Sequence, residues 1–273
     1  MLWSYASEMS ARDVLPDQSP ARWKVYGDQD PQILAGGHSH VYSMLAALDQ
    51  GRGPAEYRAA VAYSADLAGG PPGDPHYWDL LAKVGAGRRV VIVWNGNQHN
   101  AGFLLSPDPP FRVFSPLAEA GPEEGAWVAQ EVLREYWRPT FSELTDVLKS
   151  LVPVARVGVV GTPPPKSDLV VRQSLAQEIF FLDRARELGV DVADLRITPQ
   201  AVRLAMWHVI QDALEEIATE VGAAFIPVPT TAVDGDGTLS AEFCAPDATH
   251  ANVNYGALMW KTISTSSLAG IRG

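Results

Sequence analysis

Ser39 lies between two histidines in Leu34-Ala35-Gly36-Gly37-His38-Ser39-His40, where an apolar run gives way through two glycines to a helix-like stretch, residues 41–48. A serine at a glycine-softened strand-to-helix turn projects its hydroxyl beyond the sheet, and the helix N-terminus behind it favours developing negative charge. This is the placement of an acyl-transfer nucleophile. Such a serine needs a base to take its proton, a carboxylate to orient that base, and donors for the oxyanion. Among the six histidines, His250 has fitting company, because Asp247 precedes it by three positions in Pro246-Asp247-Ala248-Thr249-His250. On a loop or in a first helical turn, that spacing lets carboxylate and imidazole point the same way. Asn95-Gly96-Asn97-Gln98-His99-Asn100 follows a second apolar run and offers a side-chain amide to an oxyanion. Gly69-Gly70 follows a third and offers a backbone N–H that no side chain blocks.

The elements that must position these groups alternate along the chain. Apolar, β-branched runs at 33–35, 60–63, 89–94, 154–160 and 223–228 read as strands. Val90-Val91-Ile92-Val93 and Val157-Gly158-Val159-Val160 are continuously apolar, as in strands covered on both faces. Helix patterns fall at 39–48, 77–84, 123–137, 140–151, 169–188, 199–221 and 252–264. The sixth is the clearest, with Thr198 as its expected cap, Pro199 in the first turn, and apolar residues recurring at three- and four-residue steps. Alternating strands and helices predict a parallel sheet in a three-layer α/β/α domain with right-handed crossovers, its functional groups beyond the carboxyl ends of the strands. The expected division is an irregular extension over residues 1–30 and one domain over 31–273.

Bulk properties remove several function classes. The 273 residues carry a formal net charge of −11, and no basic stripe stands ready to neutralise phosphates, so neither nucleic acid nor an anionic membrane is an expected partner. The single cysteine, Cys244, excludes a disulfide framework and reads as a small buried residue. The N-terminus lacks the pattern of a secretory signal and no window approaches a membrane span, so a cytoplasmic location is expected. His38 and His40 form a His-x-His pair, but no carboxylate cluster stands near them, and no metal or other cofactor is expected.

In order and rough spacing, Gly37-His38-Ser39, the glycine at 69 or 70, Asn95-Gly96-Asn97-Gln98 and Asp247-Ala248-Thr249-His250 resemble the four blocks of the SGNH (GDSL-type) hydrolases, over about residues 31–263. The resemblance implies a flavodoxin-like α/β/α sandwich and metal-free hydrolysis or transfer of acyl groups through a Ser-His-Asp triad and an acyl-enzyme. Carried over, Ser39 is the nucleophile and, through its N–H, the first oxyanion donor. Gly70 (or Gly69) and the Asn97 side chain are the other donors, His250 is the base and Asp247 its orienting partner. Two positions depart from the family pattern: His38 and Gln98 stand where aspartates are usual. These two residues and His40 are the expected lining of the substrate pocket.

The leading expectation is therefore an esterase or deacetylase acting on an O-acyl ester, short-chain or acetyl, of a small molecule or carbohydrate. An acyltransferase would use the same triad, and a binding protein on a decayed fold of this kind is the non-enzymatic alternative. Each residue also has a plain structural role to compete with: Ser39 as a helix N-cap, Asp247 as a cap for the last helix, Asn97 as a turn residue.

Overall fold

The computed structural model describes residues 23–64, 75–95, 98–114, 119–120 and 125–268. In chain order the elements are β1 (Trp23–Gly27), β2 (Ile33–Gly37), α1 (Val41–Asp49), β3 (Ala59–Ser64), α2 (Pro75–Gly85), β4 (Arg89–Val93), the single-turn α3 (Gln98–Ala101), β5 (Phe111–Phe114), β6 (Glu119–Ala120) and β7 (Ala126–Val128). They continue with α4 (Gln130–Tyr136), α5 (Arg138–Leu151), β8 (Arg156–Val160), α6 (Asp168–Leu175), α7 (Ile179–Leu188), α8 (Gln200–Glu220), β9 (Ala224–Ile226) and α9 (Val253–Thr265). The main sheet has the order β1-β3-β2-β4-β8-β9. All its neighbours are parallel except β1, which runs antiparallel to β3.

Alternate residues of each strand feed opposite layers, because successive side chains point to opposite faces. Leu34, Ala60, Val90, Ile92, Val157 and Val159 join α2, α5 and α8 in one core. Ile33, Ala35, Val61, Val91, Val93 and Val160 join α1 and α9 in the other. This is why the β4 and β8 runs are apolar throughout: neither face meets water. Among the described residues, no helix is long and apolar enough to cross a membrane.

Several expectations need correction. The sheet is mixed at one edge, since Trp23–Gly27, assigned to an irregular extension, pairs along its length with β3; residues 1–22 lie outside the described residues. The helix expected over 123–137 is shorter, Gln130–Tyr136, because Ala126–Val128 is recruited as a strand beside β5 in a small second sheet. Trp127 there lies under the Arg112 guanidinium at 4.3 Å. The helix over 169–188 is broken in two at residues 176–178. Helix α8 has Pro199 as its N-cap with no side-chain cap; Thr198 instead gives its carbonyl to Arg203 Nε at 2.9 Å. Helix α1 begins at Val41 with His40 as N-cap and no side-chain cap, so Ser39 does not serve as one.

Two close approaches fix the Ser39 end of the sheet. Gly37 has φ +136°, and a Cβ there would sit 2.1 Å from the Val93 carbonyl oxygen, so glycine alone fits the turn. Its N–H donates to the Tyr77 hydroxyl at 2.7 Å, and that hydroxyl donates to the Ala62 carbonyl at 2.9 Å, tying the end of β2 to α2 and β3. On the other face, Gly256 of α9 presses on α1, where a Cβ would lie 1.9 Å from the Ser43 carbonyl oxygen. Trp260 Nε1 donates to the Met44 carbonyl at 2.9 Å across the same contact.

Gly256→Ala is expected to lower unfolding stability by about 1–3 kcal/mol through overpacking of the α1–α9 contact, measured by urea denaturation. Tyr77→Phe leaves the buried Gly37 N–H without its acceptor and should cost about 1–3 kcal/mol in the same assay. An unchanged midpoint would remove Tyr77 from the support of the turn.

Candidate active site

Of the predicted residues, Ser39, His40, Asp247 and His250 lie together, on the turn beyond β2 and the loop before α9. Ser39 is exposed, two residues beyond the β2 end. The turn is fixed by His38 N donating to the Val93 carbonyl (2.8 Å), Val41 N to that of His38 (2.8 Å) and Tyr42 N to that of Ser39 (3.1 Å). None of these bonds uses the Ser39 N–H.

The Asp247–His250 segment is a tight loop closed at its base. Ala245 N donates to the His250 carbonyl at 3.0 Å and Asn252 N to that of Phe243 at 2.8 Å. Asn252 then caps α9, accepting from Asn254 N at 2.8 Å and Tyr255 N at 3.3 Å. Within the loop, one Asp247 oxygen accepts from Thr249 N (2.9 Å) and His250 N (2.6 Å), an Asx-type turn that carries the ring back over the carboxylate. His250 Nδ1 lies 3.2 Å from that oxygen and 3.2 Å from Thr249 Oγ1. With the proton on Nδ1, the ring donates to the carboxylate and leaves Nε2 as the acceptor, the arrangement a general base requires. Burial alone would raise the Asp247 carboxyl. The His250 hydrogen bonds and charge and the Lys166 ammonium outweigh it and hold the group well below the ordinary carboxylate range.

Helix α9 starts three residues after His250 and packs on α1, which starts two residues after Ser39, so the Gly256 contact brings the two ends together. The rings of His40 and His250 meet at 5.4 Å between centroids. Both nitrogens of His40 are buried without a hydrogen-bond partner among the described residues. Burial first, then the neighbouring His250, pushes the His40 imidazole far below its usual range, so it is neutral. His38 goes the other way: it is buried against Trp94 at 4.5 Å and Trp78 at 5.9 Å, and burial pushes it down to about 3. Among the expected pocket residues, then, His40 reaches the histidine pair and His38 belongs to the aromatic core. Gln98 opens α3. Gly70 and Asn97, the expected oxyanion donors, lie outside the described residues.

Sequence reasoning missed two groups that brace the loop. Lys166, buried in the segment after β8, donates through Nζ to the carbonyls of Ala245 (2.7 Å) and Asp247, and lies 3.9 Å from the Asp247 carboxylate. Glu178, the N-cap of α7, accepts from Ala248 N at 2.7 Å. The break between α6 and α7 is what turns Glu178 toward the loop, while Val171, Leu175 and Phe181 pack with the fully buried Ala248. The one local signal was Pro163-Pro164-Pro165, a run of fixed φ angles carrying Lys166 away from a strand end. Cys244 is half-buried, its thiol raised mainly by burial, as expected of an inert residue. Among the described residues, no group of three or more His, Cys, Asp or Glu side chains is placed to hold a metal ion.

No protein-family model and no curated protein matches the sequence. Among solved structures, the chain is similar to a "putative acylhydrolase" from Bacteroides fragilis NCTC 9343, at 11% identity and a TM-score of 0.43, over 96% of this chain and 91% of that one. It is also similar to a "putative platelet activating factor" from Streptococcus pneumonia, at 14% identity and a TM-score of 0.41, over 86% of this chain and 83% of that one.

Proposed function

We propose that the protein is an SGNH-type serine hydrolase that cleaves an O-acyl ester of a small molecule or carbohydrate, with a short acyl group such as acetyl. One observation carries this reading: the hydrogen-bonded Asp247–His250 pair, more than 200 residues away in sequence, is packed beside the Ser39–His40 turn through the 5.4 Å contact of two imidazoles. The parallel strands, counted along the chain, run in the spatial order 2-1-3-4-5, which is the flavodoxin-like order and supports the same family.

In this mechanism the Ser39 hydroxyl proton passes to His250 Nε2 as Oγ attacks the acyl carbonyl carbon. Asp247 stabilises the imidazolium that forms, and the oxyanion gathers at the Ser39 N–H, the Gly70 N–H and the Asn97 amide. Collapse of this intermediate breaks the bond to the alcohol oxygen, which takes the proton from His250 and leaves an ester of Ser39. Water, deprotonated by the same nitrogen, then attacks the acyl-enzyme and releases the carboxylic acid with the serine restored. His40, neutral and buried beside the base, packs its ring against the His250 imidazole.

A fluorophosphonate probe should label the wild-type protein at Ser39, and Ser39→Ala should abolish both labelling and release of p-nitrophenol from p-nitrophenyl acetate. His250→Ala should lower turnover by roughly a thousandfold or more. A wild-type protein that neither reacts with the probe nor turns over any ester would leave a binding protein on this fold as the surviving reading.

A further inference from the structure

Lys166 is only 1% exposed, yet its ammonium is fully engaged. Its three N–H donors face two carbonyls of the Asp247–His250 loop, those of Ala245 and Asp247, together with the Asp247 carboxylate 3.9 Å away. The residue is itself braced. Its carbonyl accepts from Arg203 Nη1 at 2.8 Å, and the fully buried Arg203 also donates to the Thr198 carbonyl and to Asp168. Pro165, just before it, accepts from Leu239 N at 2.9 Å. Burying two cations in one loop junction is costly unless each finds acceptors in fixed places. Here the acceptors of one are main-chain atoms of the loop that carries the proposed base.

Resting on the reading of His250 as general base, we infer that Lys166 is the positioning residue of the site: it seats the Asp247–His250 loop against the Ser39 turn and, as a buried cation, opposes protonation of His250. The two parts can be separated. Asp247 and His250 are held to each other by the loop's own N–H groups at 2.6 and 2.9 Å, so the pair keeps its internal geometry when Lys166 is removed. Losing the cation then favours the imidazolium, while losing the two carbonyl contacts unseats the loop as a whole. The other titratable and charged groups at this junction are Glu178, Cys244, His40, beyond His40 His99, and Arg203, whose guanidinium is taken up by Asp168 and the Thr198 and Lys166 carbonyls. None of these is a cation that replaces Lys166.

The test is an NMR titration of the His250 imidazole in the full-length wild type, Lys166→Met and Lys166→Arg, with kcat/KM for p-nitrophenyl acetate measured across pH on the same samples. In K166M the His250 midpoint should rise by about half to one pH unit. The acidic limb of kcat/KM should move up with it, and the plateau should fall by about tenfold or more. K166R, which keeps the charge, should keep the wild-type midpoint. A midpoint that is unchanged in K166M, or that falls, overturns the inference, as does an unaltered plateau. If K166M does not fold, Lys166→Gln carries the same comparison, since it too removes the charge. The titration needs no turnover. A wild-type protein without esterase activity would defeat the proposed function, while the His250 midpoints would still decide the role of Lys166.

Discussion

A carboxylate that is largely withdrawn from water has to stay ionised in the loop before α9, and much of the surrounding architecture answers that requirement. Removing such a charge from solvent costs several kcal/mol unless hydrogen bonds and opposite charge offset it. Asp247 receives two N–H groups from its own loop, an imidazole N–H, and the field of a buried ammonium. Remove any one and the loop has reason to open toward solvent. With all of them in place, the carboxylate is confined to one position, which a group that orients a base has to be.

The confinement is distributed over distant parts of the chain. The loop is closed at its base by its own backbone, held by Lys166 from beyond β8, by Glu178 at the start of α7, and by apolar packing of Ala248 against α6 and α7. It is joined to the serine turn by α9 lying on α1 at a glycine. Lys166, Glu178, α6 and α7 all belong to the β8–β9 crossover, whereas α1 follows β2 and α9 follows β9. The strand ends therefore act as a common frame, and the spatial relation of Ser39 to His250 is a property of the sheet and its layers rather than of either loop.

How much of this was legible in the sequence follows from range. Val90–Val93 and Val157–Val160 announced doubly covered strands because their burial is written into consecutive residues. The Asp247–His250 pair was legible for the same reason, being closed within four positions. Lys166 and Glu178 were not, since their partners lie 81 and 70 residues away, and the prolines before Lys166 mark its exit from a strand end without marking its burial. The strand at Ala126–Val128 was lost inside a helical pattern because pairing with β5, not propensity, decides its state. His38 and His40 look alike in sequence. Alternation about the β2 turn sends one into the tryptophan-lined core and the other toward the base.

The antiparallel β1 has a consequence for how the molecules behave toward each other. A row of unpaired strand amides is a template on which another chain can add, and a six-residue β3 left open would be such a row. β1 occupies it and presents a new margin that bears Lys24. At the opposite margin β9 extends for only three residues, Ala224–Ile226. Both borders of the sheet are thus poor seeds for edge-to-edge growth, so a strongly apolar five-stranded parallel array is kept from serving as the nucleus of a fibre.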